Sequence, residues 1–461
     1  SFYLLVKNIS KFLIWNQLSW LLLPQNMGSA VHPQPQEDFL KGQLHRKHPG
    51  LTNLKTLRLP ENLQMAAQSI IHRAQIAQLP ARAQKLTNFL WSRKRAVEDL
   101  TLRQKALAHL VEKKHLLCVP DLDEKALQDN IRRRVFSELK KKIYHWTPLK
   151  FDEEMGVVYM ASRLAGGYAA VRRVLNEIKK RDPSFSPQSL LDFGSGLGTV
   201  AWASHSLWGG SLKEMVCVDS SGPMNNLAER LLKGDEERAE PSIKHVYFRQ
   251  FLPVSPKVQF DLVVAAFTLS ELPTIKDREE ASFTLWRKTS SYLVLVENGT
   301  KEGHQMLMEA REALLKKQEK TVHDPRPSSV FAPCPHAMTC PKLAREPTAP
   351  CNFQQQYHPL PLAGVRLHCQ TENFSYLILC RDDPAEEKSG AVAWSRLIGP
   401  VLRRSRHVHC RTCSPDGELE HMVVTARKHS RDVYRCARNS EWGDLLPVVQ
   451  NLDEDEGEAG P

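Results

Sequence analysis

A chain of 461 residues, 41% hydrophobic and 25% charged, is long enough for two or three folded domains and is not a disordered or fibrous composition. Ten cysteines over that length exclude the dense disulfide framework of a small secreted domain. With 63 Lys and Arg against 52 Asp and Glu, the formal charge of +11 points to an anionic partner without separating RNA from a membrane surface.

From Ser1 to Gln36 there is no Asp or Glu, and Lys7 and Lys11 stand among Leu, Phe and Trp residues. An acid-poor apolar stretch of this kind predicts a mitochondrial targeting segment, with residues 1–59 taken as targeting or disordered sequence. A membrane span competes with that reading. Lys7, Asn8, Ser10, Lys11, Asn16 and Gln17 break the run before about 20 apolar residues accumulate, so no stable membrane insertion is expected.

Residues 60–185 are charged and leucine-rich and predict several helices. Leu127, Ile131, Val135, Leu139 and Ile143 recur every fourth position and form one apolar stripe. Arg132, Arg133, Arg134, Lys140, Lys141 and Lys142 lie between them, as either a solvated face or a contact to a phosphate backbone. The stretch from Tyr159 to Ala170 opens a helix ending near Lys180, placed to roof whatever pocket the following region builds.

That region, residues 186–322, is organised by Leu190-Leu191-Asp192-Phe193-Gly194-Ser195-Gly196-Leu197-Gly198-Thr199. An apolar run, an acid and three alternating glycines, followed by a helix, read as a strand, a tight turn and a helix start. Glycine is required where the backbone takes conformations closed to residues with Cβ and where a cofactor approaches the main chain. Met215 to Asp219 reads as a second strand ending in an acid, where a ribose would find a carboxylate. His245 to Phe248, Phe260 to Phe267 and Ser291 to Glu297 supply further strands. Continuous apolar strands alternating with helices predict a parallel sheet covered on both faces.

The pattern resembles the S-adenosylmethionine-dependent methyltransferases of the doubly wound, class I type. The resemblance implies a Rossmann-like α/β sheet, with Asp192, Gly194, Gly196 and Gly198 around the methionine portion of S-adenosyl-L-methionine and Asp219 at its ribose. Amino-group methyltransferases place Asn or Asp, two prolines and an aromatic residue after the strand ending at Phe267, and carbon-5 cytosine enzymes need a cysteine nearby. Thr268-Leu269-Ser270-Glu271-Leu272-Pro273 has neither arrangement, and no catalytic residue is assigned. Glu271 has the chemistry of a proton acceptor, although an acid at a helix start more often serves the helix dipole.

Beyond prolines 325, 327 and 333 the character changes, and residues 323–446 predict a cysteine-rich β domain. Cys334-Pro335-His336 is followed by Cys340-Pro341, Cys351 and the pair Cys410 and Cys413. Four soft thiolates suit an iron-sulfur cluster or zinc. Only Cys410 and Cys413 have the close spacing of a zinc ribbon, so a cubane cluster is the favoured reading. Cys118, Cys217, Cys369, Cys380 and Cys436 read as ordinary buried cysteines.

Together with Phe374 to Leu379, Tyr434 to Arg438 and Trp442-Gly443-Asp444, this cysteine pattern resembles the methyltransferase-like assembly factors of the mitochondrial small ribosomal subunit, from about Tyr159 to Leu446. The resemblance implies a protein of the mitochondrial matrix that binds small-subunit rRNA on the ribosomal subunit, as a monomer, and carries a 4Fe-4S cluster. It implies Cys334, Cys340, Cys351 and one of Cys410 or Cys413 as ligands. Cys410, directly after His407-Val408-His409, is chosen. The β domain is expected to present Arg403, Arg404, Arg406, Arg411, Arg427, Lys428 and Arg431 to RNA. Residues 447–461, with Asp453, Glu454, Asp455, Glu456 and Glu458, predict a disordered acidic tail. Binding ranks ahead of catalysis, with active rRNA methyl transfer as the alternative.

Overall fold

The computed structural model describes residues 40, 43–93, 148–255, 257–316, 326–344, 349–365, 368–381 and 394–447. The acid-poor segment up to Gln36, the stripe from Leu127 to Ile143 with its arginines, Cys118 and the acidic tail lie outside the described residues.

Two helices, α1 (Glu61–Ala74) and α2 (Leu79–Ser92), precede the long α3 (Glu153–Arg181). The start of α3 is set by Asp152, whose carboxylate accepts from the Met155 amide at 2.8 Å. Glu153 and Glu154 in its first turn and Lys179, Lys180 and Arg181 in its last complement the helix dipole. Then follow β1 (Ser189–Phe193), α4 (Thr199–Trp208), β2 (Glu214–Val218), α5 (Gly222–Leu232), β3 (Val246–Arg249) and β4 (Phe260–Ala266). Next come α6 (Ile275–Arg287), β5 (Thr289–Asn298), α7 (Lys301–Lys316), β6 (Ser328–Ala332), β7 (Phe353–Tyr357) and β8 (Gln370–Arg381).

The main sheet runs β3-β2-β1-β4-β5-β8-β6, with β7 also pairing to β8. The first five strands are parallel, and β8 enters antiparallel between β5 and β6. This is the Rossmann-like order of class I methyltransferases. Leu191, Val263, Val264, Leu293, Val294 and Leu295 are fully or almost fully buried, as expected of strands covered on both faces. One apolar cluster packs that sheet against α3, α4 and α5, and the other against α6 and α7.

The domain limit expected at residue 323 is not a limit of the sheet. β6, β7 and β8 continue it, and Phe374 to Leu379 pair with β5. The physical reason is in β8: Phe374, Tyr376, Leu377, Ile378 and Leu379 are apolar on both faces, which suits an interior strand and not the half-exposed strand of a small domain. The separate β unit is smaller. It comprises β9 (Ser395–Leu397), β10 (Leu402–Arg403), β11 (His407–Cys413), β12 (Leu419–Thr425) and β13 (Leu445–Leu446), in the order β10-β11-β9-β13 with β12 on β11. The helix α8 (Arg431–Asn439) covers one face through Val433, Cys436 and Ala437.

Residues 43–59, expected to be targeting or disordered sequence, are instead packed into the fold. Polar groups fasten them to the end of the chain. The Asp444 carboxylate accepts from the Thr52 amide at 2.7 Å and the Asn53 amide at 3.0 Å, and the Leu445 amide donates to the Gly50 carbonyl. Arg173 donates to Thr52 Oγ1 at 2.7 Å, and Leu57 bridges to Tyr357 of β7.

Beneath this strap lies a buried charge hub. Glu177 is fully buried and receives Arg396 at 2.6 Å, Arg181 at 3.2 Å and the Tyr376 hydroxyl at 3.0 Å, with Arg173 at 3.8 Å. Burial by itself would raise the Glu177 pKa, but Arg396 and then Arg181 overcome it and hold the carboxyl down to about 2. The hub joins α3, β8 and β9.

Candidate functional site

The glycine turn is built as its sequence requires. Gly194, Gly196 and Gly198 have φ of 73°, 50° and 71°, in the left-handed region. The Gly194 and Ser195 amides donate to the Val218 carbonyl, and Gly196 N donates to Asp219 Oδ2 at 2.9 Å. The other Asp219 oxygen accepts from the Ser221 amide at 2.8 Å. The first and second strand ends are therefore laced together, and Asp219 keeps lone pairs for further donors.

At Gly194 a Cβ would stand 2.3 Å from Thr268 Oγ1. Gly194→Ala is expected to lose more than the roughly 1–2 kcal/mol that a left-handed L-residue costs. Gly210→Ala, where a Cβ meets nothing within 4 Å, should be near neutral. Urea unfolding of the two variants checks this, and equal midpoints would refute the close approach at Gly194.

Two adjoining cavities, of about 540 and 400 Å3, open along this turn. Gly194, Gly196, Tyr159, Arg163, Ala266 and Phe267 line both, so α3 does roof the pocket. Asp219 faces the first and Asp192 the second. Asp192 is buried with neither carboxylate oxygen hydrogen-bonded. Burial, and then Asp219, push its pKa well above the usual carboxylate range. A buried unpaired carboxyl beside a glycine cradle is what a ligand bearing hydrogen-bond donors would satisfy. Gly198 starts α4 and lines neither cavity; its role is the helix start.

Two ion pairs reach the pocket through Arg163 and Glu271. Arg163 donates to Glu372 at 2.9 Å and Asn298 at 3.1 Å and lies 4.9 Å over the Phe267 ring. Glu271, in the first turn of a short 3-10 helix (Leu269–Glu271), pairs with Arg93 at 2.5 Å. Thr268 Oγ1 donates toward the carbonyls of Phe193 and Ala266. Sequence reading missed Arg93 and Arg163, whose partners are 178 and 209 residues away.

A third cavity, of about 310 Å3, lies between the two sheets and is lined by Cys334, Cys340, Cys351 and Cys413. Cys410 is not there. Cys410 and Cys413 are three residues apart on β11, which pairs with β12 without a register break, so their side chains leave opposite faces. Cys410 packs with Val408, Val424 and Cys436 in the core under α8, and the structure replaces it with Cys413 among the four converging thiols. Cys369 is exposed, contrary to the expectation that it is buried, while Cys217 and Cys436 are buried and Cys380 is half-buried.

Burial pushes the Cys334 thiol up to about 11 and Cys351 up to about 12, and Cys413 higher still, with neighbouring thiols of the set adding to each rise. Grouped thiols that resist ionisation together are relieved by a shared cation. His336 stands 3.4 Å from Cys413 Sγ and His304 3.8 Å from Cys340 Sγ. Arg311 on α7 fixes the loop by donating to the His336 and Met338 carbonyls, and Arg396 Nε does so to Pro333. Among the described residues no three His, Cys, Asp or Glu are placed to hold a single metal ion. Among them, too, no helix is long and apolar enough to cross a membrane.

The sequence pattern of the family described as mitochondrial small ribosomal subunit Rsm22 matches residues 153–447, which takes in the glycine turn and all four thiols. The chain is 51% identical over 411 residues to the human mitochondrial ribosome assembly protein METTL17, covering 89% of this chain and 87% of that one. It is 22% identical over 490 residues to the Saccharomyces cerevisiae mitochondrial ribosome assembly protein RSM22, covering 76% and 77%. Among solved structures it is similar to magnesium protoporphyrin IX methyltransferase of Synechocystis PCC 6803 with bound SAH, at 13% identity, 56% and 100% coverage and a TM-score of 0.31. The strand order, not that slight likeness, carries the fold. On the match from α3 to β13 and the human relative's identity across most of both chains, this chain belongs to the mitochondrial small ribosomal subunit Rsm22 family.

Proposed function

We propose that the chain is a mitochondrial small-subunit assembly factor that works in the matrix, binds small-subunit rRNA as a monomer, and uses its two sites to hold its shape on the subunit. The observation that carries this reading is the convergence of Cys334 and Cys340 from one loop, Cys351 from before β7 and Cys413 from β11, between the two sheets. In that position a bound group pins the second sheet to the first.

The donor set fits a 4Fe-4S cluster. Cys334, Cys340, Cys351 and Cys413 line one cavity, and four thiolates complete the irons of a cubane. When bound, it supplies redox-active iron and a rigid four-way cross-link; the chain supplies the ligands, the fixed loop and the histidines beside two sulfurs.

The glycine pocket fits S-adenosyl-L-methionine, which would bring a methyl group on a sulfonium centre. Asp192 and the turn around Gly194 and Gly196 would meet its methionine portion, and Asp219 its ribose hydroxyls. Asp219→Ala is expected to weaken cofactor binding by about ten to a hundredfold, from the loss of hydrogen bonds to a charged group, as calorimetry would read. Because Arg163 and Glu271 are committed to ion pairs, neither is offered as a catalytic base.

The test is rescue of cells lacking the protein. A folded variant unable to bind the methyl donor should restore small-subunit maturation, and a Cys340→Ser variant should not. If the first variant binds RNA normally yet leaves mitochondrial translation defective, the chain is an rRNA methyltransferase and this ranking is reversed.

A further inference from the structure

The outer face of the second sheet carries a feature that the two cofactor sites do not use. Alternation along β11 places His407, His409 and Arg411 on the face opposite Val408 and Cys410, the same face from which Cys413 leaves. On β12 the partners in register are Thr425, Val423 and His421. His409 and His421 are stacked, with an interplanar angle of 23° and 5.2 Å between centroids, and His409 Nδ1 is 3.2 Å from His421 Nε2. His407 meets His409 edge-on at 4.9 Å. Leu402, opposite His409 on β10, and Val423 beside it are 54% and 42% exposed.

This is a flat patch of rings and aliphatic carbon on an open sheet, and its surroundings are cationic. Residues 402–411 and 421–429 contain five arginines and one lysine and no Asp or Glu. Arg403 is spent on the carbonyls of Arg438 and Ser440 at the end of α8, which removes it from the expected RNA-facing set. Arg404, Arg406, Arg411, Arg427 and Lys428 are exposed. A histidine triad also raises the idea of a metal, but among the described residues no such group is placed to hold an ion.

We infer that this face is a stacking platform for unpaired RNA bases, with the His409 and His421 rings as the stacking surface and the surrounding arginines on the phosphates. The inference rests on the reading that the chain binds RNA and adds which RNA and where. Single strands expose base faces that aromatic and imidazole rings can cover, whereas a duplex hides them. The platform also lies near the thiol cavity: His409 is four residues from Cys413 along one strand, about 13 Å at the usual rise.

The experiment uses the full chain with a fluorescein-labelled 12-nucleotide single-stranded RNA, the same length of RNA duplex, and a single strand carrying 2-aminopurine. The single strand should bind more tightly than the duplex, with 2-aminopurine quenched on binding. The His409→Ala/His421→Ala protein should melt like the parent yet bind about tenfold to a hundredfold more weakly, with quenching lost. The His409→Tyr/His421→Tyr protein should recover both, and Arg404→Glu/Arg411→Glu should weaken single strand and duplex alike. If the parent binds the single strand but the alanine protein binds and quenches equally well, or the duplex binds as tightly, the platform is overturned while RNA binding stands. If the parent binds neither RNA, the RNA-binding reading fails and the platform with it.

Discussion

Protein carrying Cys413→Ser, purified without oxygen, is expected to come out colourless and without iron, whereas Cys410→Ala keeps about four irons and its brown colour, as a cubane on four thiolates requires. The two cysteines are neighbours in sequence, and only strand alternation separates them: one joins Cys334, Cys340 and Cys351, and the other is packed under α8. Because metal binding and folding are coupled, loss of the cluster should also leave the β9–β13 sheet open to protease. The cost to Cys410→Ala is confined to a small cavity in that sheet's core. Iron and acid-labile sulfide analysis of both proteins decides the matter. Iron retained in Cys413→Ser and lost in Cys410→Ala would reverse the ligand assignment, and stoichiometric zinc without sulfide would remove the cluster altogether.

The second large effect is expected at Glu177. Glu177→Ala leaves Arg396 and Arg173 buried without their counter-charge, and removing one partner of a buried pair typically costs about 3–5 kcal/mol. That is a large part of the stability of an ordinary domain. The pH dependence has a definite sign. The folded-state pKa, about 2, lies below the ordinary 4.5, so the carboxylate's contribution is complete above about pH 4.5 and is lost as pH falls toward 2. Urea unfolding should therefore show the widest gap between parent and variant near neutrality and a narrowing gap in acid. A gap that is constant with pH would mean that the variant suffers from lost packing and not from lost charge.

Much of the fold was legible where one physical rule acted locally. The apolar runs at Leu190, Met215, Phe260 and Ser291 are strands of a sheet covered on both faces, and Gly194, Gly196 and Gly198 take the left-handed backbone for which glycine is suited. Phe374 to Leu379 was visible as a strand but was expected in the wrong sheet, because an apolar run does not say which neighbours it will have. Cys413 was within reach of the same rule: a residue three positions from a core-facing one on a strand faces the other way, but this needs the strand limits first. The Glu177 hub was not legible. Its strongest partner, Arg396, is 219 residues away, and an isolated Arg and an isolated Glu look like surface charges. The polar strap at Thr52 and Asn53 escaped for the same reason, since short-range patterns carry no signal for a carboxylate nearly four hundred residues downstream.

That strap also fixes an order of events during the birth of the molecule. Thr52 is made 392 positions before Asp444, so the clasp is among the contacts of longest sequence separation among the described residues. Until a ribosome has passed Asp444, the Thr52 and Asn53 amides lack the carboxylate that receives them and β13 is missing from the second sheet. A product truncated before Asp444 can complete the main sheet and still present an unlatched strap at Thr52 and an open strand edge, which exposes it to pairing with other chains. Synthesis through Asp444 is thus a mechanical condition of the architecture: the strap at Thr52 locks only when a carboxylate made 392 positions later reaches back to it.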